Sequence, residues 1–139
     1  MNRNRKYLPA LAAAAMMMIM LTVTAFAGYV PFASDNIRSA NVTLTSSGAS
    51  LTATATVSGK GICERIGVSS FSIQEKRDGA WVTVKSAVPG YNSSDASYTN
   101  SLTYTGLSGR EYRARASCYA TLSGTTSTAS PSSTTVTLP

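Results

Sequence analysis

Few residues of this 139-residue sequence could do chemistry, because histidine is absent. Without an imidazole the chain lacks the usual general base at neutral pH and the commonest ligand of zinc sites. Serine and cysteine triads of the ordinary kind are excluded for the same reason. Six carboxylates remain as candidate acids, bases or ligands: Asp35, Glu64, Glu75, Asp78, Asp95 and Glu111.

The six carboxylates show no spacing that favours catalysis or metal binding. Glu75 and Asp78 flank a predicted hairpin, where turn formation and a solvated strand end explain them. Asp95 is the only carboxylate in a segment of serines and asparagines, and one carboxylate supplies too few ligands for calcium. Glu64 and Glu111 stay open as the paired carboxylates of a glycosidase, although their spacing does not argue for it. We therefore expect a protein that is not an enzyme and holds no metal and no cofactor.

Residues 1–27 have the three parts of an export signal. Residues 2–6 carry three positive charges, an apolar run covers residues 10–27, and Ala25-Phe26-Ala27 matches the small-x-small pattern of a signal-peptidase site. The pattern predicts a bacterial signal peptide and a secreted, extracellular domain of residues 28–139 without an integral membrane span. A retained N-terminal anchor is the alternative.

The predicted secreted domain is only weakly basic. Of the twelve lysines and arginines, three leave with the signal, and the remaining nine face six acidic residues, a net charge of +3. Cations do not form a run interleaved with aromatic residues, so we expect no nucleic-acid partner. Weak attraction to an anionic cell wall or lipid surface stays open.

Two cysteines, Cys63 and Cys118, lie in this domain. An even, minimal count in an exported protein predicts one disulfide. The long loop that it would close corresponds to roughly 4 kcal/mol of stabilisation by chain entropy. A zinc site without histidine and a redox site without a CxxC pair are the weaker alternatives.

Stepping along the domain, apolar and polar residues alternate with the period of two that is typical of strands. Gly59-Lys60-Gly61 is predicted to end one strand, a change of phase between Val68 and Phe71 predicts a bulge, and Asp78-Gly79 predicts a type I′ hairpin turn. Residues 87–96 contain turn formers and are predicted to be an exposed loop. The predicted strands are 37–45, 51–58, 66–77, 80–86, 97–105, 112–120 and 125–138, the last of them an edge strand interrupted by Pro131.

Seven short strands of this kind predict an all-β, antiparallel sandwich of a single domain. A small closed barrel is the alternative architecture. No second domain and no internal repeat are evident in the sequence.

The segment Leu107-Ser108-Gly109-Arg110-Glu111-Tyr112 and the alternating residues after it resemble the sixth strand of fibronectin type III domains. The resemblance implies an immunoglobulin-like fold and a tyrosine corner, in which the Tyr112 hydroxyl bonds back to nearby backbone. Residues 71–81 also resemble small exported proteins of Gram-positive bacteria that have no assigned role. Fibronectin modules normally carry a tryptophan in the second strand and no disulfide, and this sequence departs from both features.

Two groups of side chains are candidates for a contact surface. Arg113 and Arg115 point to one face of a predicted strand, with Tyr119 further along it; a solvated face with cross-strand ion pairs is the alternative. Tyr91, in the predicted loop, and Tyr98 form the second group, because tyrosine among Ser, Gly and Asn is typical of binding loops. A plain surface loop is the alternative there. The only tryptophan, Trp81, is expected to pack against the core.

These features predict a secreted, non-catalytic β-sandwich that works by binding or coating. Its expected partner is a protein or a glycan at the cell surface. A small antibacterial toxin or protease inhibitor on a disulfide-stapled scaffold is the alternative, and a degenerate hydrolase is a third class.

Overall fold

The computed structural model describes residues 23–25 and 35–139. The predicted export signal and its cleavage site therefore lie outside the described residues, apart from three residues that pair with the next strand. The described residues form an all-β, antiparallel structure, as predicted. Its strands are β1 (Val23–Ala25), β2 (Ile37–Ser47), β3 (Ser50–Arg77), β4 (Ala80–Ser86), β5 (Gly90–Thr105), β6 (Glu111–Leu122), β7 (Thr125–Ala129) and β8 (Val136–Thr137).

The long strand β3 takes part in two pairing groups. In the first group, residues 50–58 lie between β2 and the second half of β5. In the second group, residues 63–77 lie between β6 on one side and β4 and the first half of β5 on the other. β6 is paired in turn with β7 and β8. β3 and β5 thus belong to both groups and connect them.

The prediction that Gly59-Lys60-Gly61 ends a strand is wrong. β3 continues through these residues, and only its pairing changes, because its register with β5 shifts between Ser58 and Cys63. β3 has four residues between its two paired stretches where β5 has one, Ala96, so β3 bulges at this point.

The prediction of an exposed loop over residues 87–96 is also wrong from Gly90 onward. Residues 90–95 form the first half of β5 and pair with residues 63–68 of β3. Pairing with an existing strand supplies partners for the backbone N–H and C=O groups, and this gain outweighs the turn preference of Asn and Ser. The local preference survives only at Ser94, where φ is +53°.

Two local predictions are confirmed. Asp78 and Gly79 have φ values of +51° and +80°, as a type I′ turn requires, and they connect β3 to β4. The predicted bulge near Val68 is present as a register shift against β6 between Val68 and Ser70. The predicted last strand is interrupted around Pro131, so that it forms β7 and β8.

Both pairing groups bury one face in a single hydrophobic core. The first group contributes residues such as Val42, Leu44 and Leu51, and the second contributes Phe71 and Ile73. Several core positions of β3 and β6 are alanines, which leave room for these larger neighbours. Two antiparallel groups that share one core are compatible with a β-sandwich. Among the described residues no helix is long and apolar enough to span a membrane.

The predicted disulfide is not formed: Cys63 and Cys118 are both buried free thiols. Register explains why, because Cys118 lies opposite Val68, whereas Cys63 is five residues earlier on β3. Five residues of strand span roughly 16 Å, while bridged cysteines have Cα atoms about 4.4 to 6.8 Å apart. Burial raises the pKa of the Cys118 thiol to about 11, and it also raises the pKa of Cys63. Both groups are therefore protonated members of the core at neutral pH.

Candidate functional site

The outward side of the second pairing group gathers most of the predicted contact residues. Cross-strand pairing places Tyr91 of β5 and Tyr119 of β6 on either side of Gly67 of β3. Arg113 and Arg115 lie on the same side of β6 as Tyr119, because alternate residues of a strand share a face. We call this surface the basic aromatic face; its members are Arg65, Ser70, Ser72, Gln74, Lys76, Trp81, Tyr91, Arg113, Arg115, Ser117 and Tyr119.

The bulge in β3 keeps this face continuous. Gly67 and Ser70 differ by three residues and would point to opposite sides of a regular strand. The extra residue in the bulge restores the phase, so that Gly67 is opposite Tyr119 and Ser70 is opposite Ser117. The outward residues of β6 are therefore matched by outward residues of β3 along the whole pairing.

Trp81 lies on this face, so the prediction that it packs against the core is wrong. Its cross-strand partner is Lys76, and the Lys76 Nζ atom is 6.0 Å from the centre of the indole ring. The guanidinium carbon of Arg113 is 4.4 Å from the same ring centre, and Arg113 Nε donates a hydrogen bond of 2.8 Å to Gln74 Oε1. Two cations and an amide thus hold the ring and the Arg113 side chain in place.

Arg115 is the exposed cation of the face that has no partner. Among the described residues, no carboxylate and no hydrogen-bond acceptor contacts its guanidinium, and its cross-strand neighbours are Ser72 and Ser132. Arg115 therefore does not form the cross-strand ion pairs that were the predicted alternative. Burial lowers the pKa of Arg113, and the positive charge of Arg115 lowers it further. The two guanidinium groups repel each other without a local anion to offset them.

An open depression of about 170 Å³ lies beside Arg115. Arg115, Gln74 and four serines line it, together with Ala116. The serines are Ser70, Ser72, Ser117 and Ser130. A serine hydroxyl can both donate and accept a hydrogen bond, whereas a guanidinium only donates. The lining therefore combines one permanent positive charge with adaptable polar groups.

Tyr91 forms a second cation–aromatic pair at the other end of the face. Its side chain is 47% exposed, and the Arg65 guanidinium carbon is 4.6 Å from its ring centre. A Cβ atom at Gly67 would collide with the Gly90 carbonyl and lie 2.6 Å from the Tyr91 Cα atom. Only glycine fits at this point, where β3 and β5 approach closely.

Tyr98, the remaining predicted contact residue, is not on the basic aromatic face. It pairs with Val57, whose side chain belongs to the core, and it packs partly buried against that core. The structure thus brings Tyr91, Arg113, Arg115 and Tyr119 together and separates Tyr98 from them.

The interpretation of Glu75 as a solvated strand-end residue is wrong. Glu75 is 1% exposed; it accepts hydrogen bonds of 2.8 Å from Arg77 Nε and from the Tyr112 hydroxyl, and Arg110 lies 4.0 Å away. The hydrogen bonds from Arg77 and Tyr112 lower the pKa of this carboxyl, against the opposing effect of burial. Its phase could have revealed this, because Glu75 follows the buried residues Phe71 and Ile73 at intervals of two.

Tyr112 makes the hydrogen bond that the fibronectin resemblance implies. Its buried hydroxyl accepts a hydrogen bond of 2.8 Å from the Leu107 backbone N–H, five residues earlier. The same hydroxyl donates to Glu75, so one phenol links the turn before β6 to the end of β3. Desolvation raises the pKa of Tyr112, which therefore stays protonated at neutral pH.

The carboxylate pair left open for glycoside hydrolysis is excluded by distance. Glu64 accepts a hydrogen bond of 3.0 Å from Gly124 N, at the turn after β6. Glu111 begins β6 and forms an ion pair of 3.5 Å with Lys76. The two ends of β6 are separated by roughly 36 Å, whereas the two carboxyls of a glycosidase lie at most about 9.5 Å apart.

Asp95 has a local structural role where β5 passes from one pairing group to the other. Its carboxylate accepts hydrogen bonds from the Asn92 side chain and from the Ser97 backbone N–H. Within residues 35–139, no group of three or more Cys, Asp or Glu side chains could hold a metal ion.

The outward side of the first pairing group has a different composition. It consists of every second residue of 39–47, 50–58 and 97–105, which pair across three adjacent strands. Fourteen of these fifteen residues are serine or threonine, and the other is Asn41. We call this surface the hydroxyl face.

Comparisons of the chain with protein-family models, with curated proteins and with solved structures found no match.

Proposed function

We propose that this protein is a secreted, non-catalytic binding module that contacts a cell-surface ligand through the basic aromatic face. One observation carries the proposal: the two candidate groups of the sequence, Tyr91 on β5 and Arg113, Arg115 and Tyr119 on β6, meet on one continuous surface. On this surface Arg115 has no partner among the described residues. Arginine, tryptophan and tyrosine are the residues that contribute most to binding surfaces.

The rigidity of the face supports a binding role. Arg113 is held by Gln74 and by the ring of Trp81, and Arg65 is held against Tyr91. Side chains that are ordered before binding lose little conformational entropy when a ligand arrives. Strand positions also hold side chains more accurately than loops do.

We further propose that the fold is an immunoglobulin-like sandwich of the fibronectin type III kind. Two observations support this type: the pairing groups share one core, and the Tyr112 hydroxyl bonds to backbone just before its own strand. Secretion is supported by the export signal read in residues 1–27. The lack of catalysis is supported by the absence of histidine and by the wide separation of Glu64 and Glu111.

The alternative of a disulfide-stapled toxin or inhibitor has lost its main argument. That interpretation depended on a bond between Cys63 and Cys118, and the two thiols are free. We therefore do not propose it.

Two thiol variants of the secreted protein test the proposal. The full chain is expressed with Ser130→Cys, at the depression, or with Ser101→Cys, on the hydroxyl face, and is recovered from the medium. The new exposed thiol is coupled to maleimide polyethylene glycol, which spares the native thiols because both are buried. Binding to envelopes of the producing cells is then measured by sedimentation.

We expect the coupled polymer at residue 130 to abolish envelope binding and the same polymer at residue 101 to leave it unchanged. Equal binding of the two conjugates would show that the basic aromatic face is not the contact surface. Intact mass of the recovered protein is expected to begin at Gly28, and a product that retains Met1 would contradict secretion by signal cleavage.

A further inference from the structure

We infer that the depression beside Arg115 binds the anionic group of an acidic polysaccharide. The inference deepens the proposed function, on which it rests, by naming the ligand class of the same face. The anionic group is a carboxylate, sulfate or phosphate, and the rest of the ligand is a chain of hydroxylated sugar units.

The positive charges of the basic aromatic face are not balanced by acids on that face. The basic aromatic face carries Arg65, Lys76, Arg113 and Arg115, and none of its members is an acid. Glu111, two residues before Arg113 on β6, is already engaged by Lys76. Glu75, the nearest acid on β3, points to the opposite side of that strand and is buried with Arg77. An anion at Arg115 would therefore gain attraction from two neighbouring guanidinium groups that otherwise repel each other.

The polar groups that line the depression suit a sugar better than a simple anion. Four serines line the same depression as Arg115. The Oε1 atom of Gln74 already accepts from Arg113, so its NH₂ group is left as a donor. Groups that donate and accept at short range match the hydroxyls of a sugar, whereas a simple inorganic anion would use only the donors.

The basic aromatic face is long enough for a polymer. From Arg113 to Tyr119 the outward residues of β6 extend over roughly 20 Å. Trp81 lies at one end of this stretch, and Tyr91 and Tyr119 lie at the other. This length fits several consecutive sugar units, with the charged group at Arg115 near the middle.

The distribution of apolar side chains favours a polysaccharide over a protein. Protein interfaces bury a fully desolvated apolar centre. The large exposed apolar side chains among residues 35–139 are Ile62, Val82, Val88, Tyr91 and Leu107, and of these only Tyr91 has a register that places it on this face. The centre of the face, around Arg115, is polar.

The test compares soluble polymers of matched backbone polarity and different charge. Calorimetric titrations of the secreted protein use alginate, which carries carboxylates, dextran sulfate, which carries sulfates, and neutral dextran. Anionic phospholipid vesicles and poly-glutamate serve as non-glycan anions. Arg115→Gln is the test variant, and Arg38→Gln, an exposed arginine of β2 outside the face, is the charge-matched control.

We expect binding to alginate or dextran sulfate, no binding to dextran, and weaker binding to vesicles and poly-glutamate. Arg115→Gln is expected to lower the affinity at least tenfold, and Arg38→Gln less than twofold. Unchanged thermal unfolding of both variants verifies that the fold is intact. Equal losses in the two variants, tighter binding to vesicles or poly-glutamate, or no binding to either acidic polymer would overturn the inference.

The two proposals can fail separately. If polyethylene glycol at residue 130 blocks envelope binding but no acidic polymer binds, the contact surface stands and the ligand class is wrong. If neither conjugate changes envelope binding, the proposed function itself is wrong.

Discussion

The hydroxyl face and the basic aromatic face are built on the same strand, β3, yet they interact with water in different ways. The hydroxyl face has no charged residue at its fifteen positions, and its side chains bond to one another, as Thr54 does to Ser101 and Thr56 to Thr99. The basic aromatic face has charges and rings held in cation–aromatic pairs, and Arg115 has no partner within the part of the chain that the structure describes.

The two faces show that a polar surface is not by itself a binding surface. Short hydroxylated side chains keep a sheet face wet and are satisfied by neighbours or water, so they offer little gain to a ligand. An unpaired guanidinium beside a second cation gains more from an incoming anion. Of two polar faces on one small domain, the face with unpaired charge is therefore the better candidate for binding.

The largest effect is expected from moving an arginine from the outside of β6 to the inside. Ala116 is buried, whereas Arg115 is exposed. Ala116→Arg should prevent folding, because an unpaired buried charge costs several kcal/mol of a marginal total. Arg115→Ala should change the free energy of unfolding by less than about 0.5 kcal/mol. Urea unfolding followed by circular dichroism measures both, and a folded Ala116→Arg protein would invalidate the assignment of the two faces.

The second-largest effect is expected on the pH dependence of stability, through Glu75 in the second pairing group. The ionised form of Glu75 is stabilised in the folded protein, so its folded pKa lies below its unfolded value of about 4.3. Its contribution is therefore complete above the unfolded pKa and is lost as the pH falls through the folded pKa. Glu75→Gln should cost about 2 kcal/mol at pH 7 and should flatten the loss of stability below about pH 4. Parallel acid profiles for the two proteins would show that Glu75 is not the responsible group.

The hydroxyl of Tyr112 should contribute less than the charge of Glu75. Tyr112→Phe removes the hydrogen bonds to Leu107 N and Glu75 but keeps the buried ring, and should cost about 1 to 2 kcal/mol. Tyr104 is a matched control, because its ring centre is 6.0 Å from that of Tyr112 and its hydroxyl makes no hydrogen bond to any described residue. Chemical denaturation should show a change below about 0.5 kcal/mol for Tyr104→Phe. Equal costs would mean that ring packing alone matters.

The smallest effect is expected on the hydroxyl face. Thr54→Val removes one weak hydrogen bond of 3.3 Å to Ser101 and keeps the β-branched shape, so stability should change by less than about 0.5 kcal/mol. Envelope and polysaccharide binding should be unchanged. Loss of binding in Thr54→Val would assign recognition to the hydroxyl face and reverse the comparison.

The candidate site could be predicted only in part. The common side of Arg113, Arg115 and Tyr119 follows from the period of two within one strand. Tyr91 could not be placed beside them, because that requires residues 90–95 to pair with β3 about 25 residues earlier in the chain. The size of Trp81 favours a place in the core, but its register opposite Lys76 decides its side.

The features that the sequence predicts correctly are local: the all-β class, the inward and outward sides of most strands, the Asp78-Gly79 turn and the bulge after Val68. Each depends on neighbouring residues, through the pleat of a strand or the backbone angles of a turn. Tertiary structure alone sets two further features: β3 continues past Gly59, and Cys63 and Cys118 lie too far apart to bond. These features depend on which distant strands pair and in which register, and register is set by the packing of the whole core rather than by any one segment.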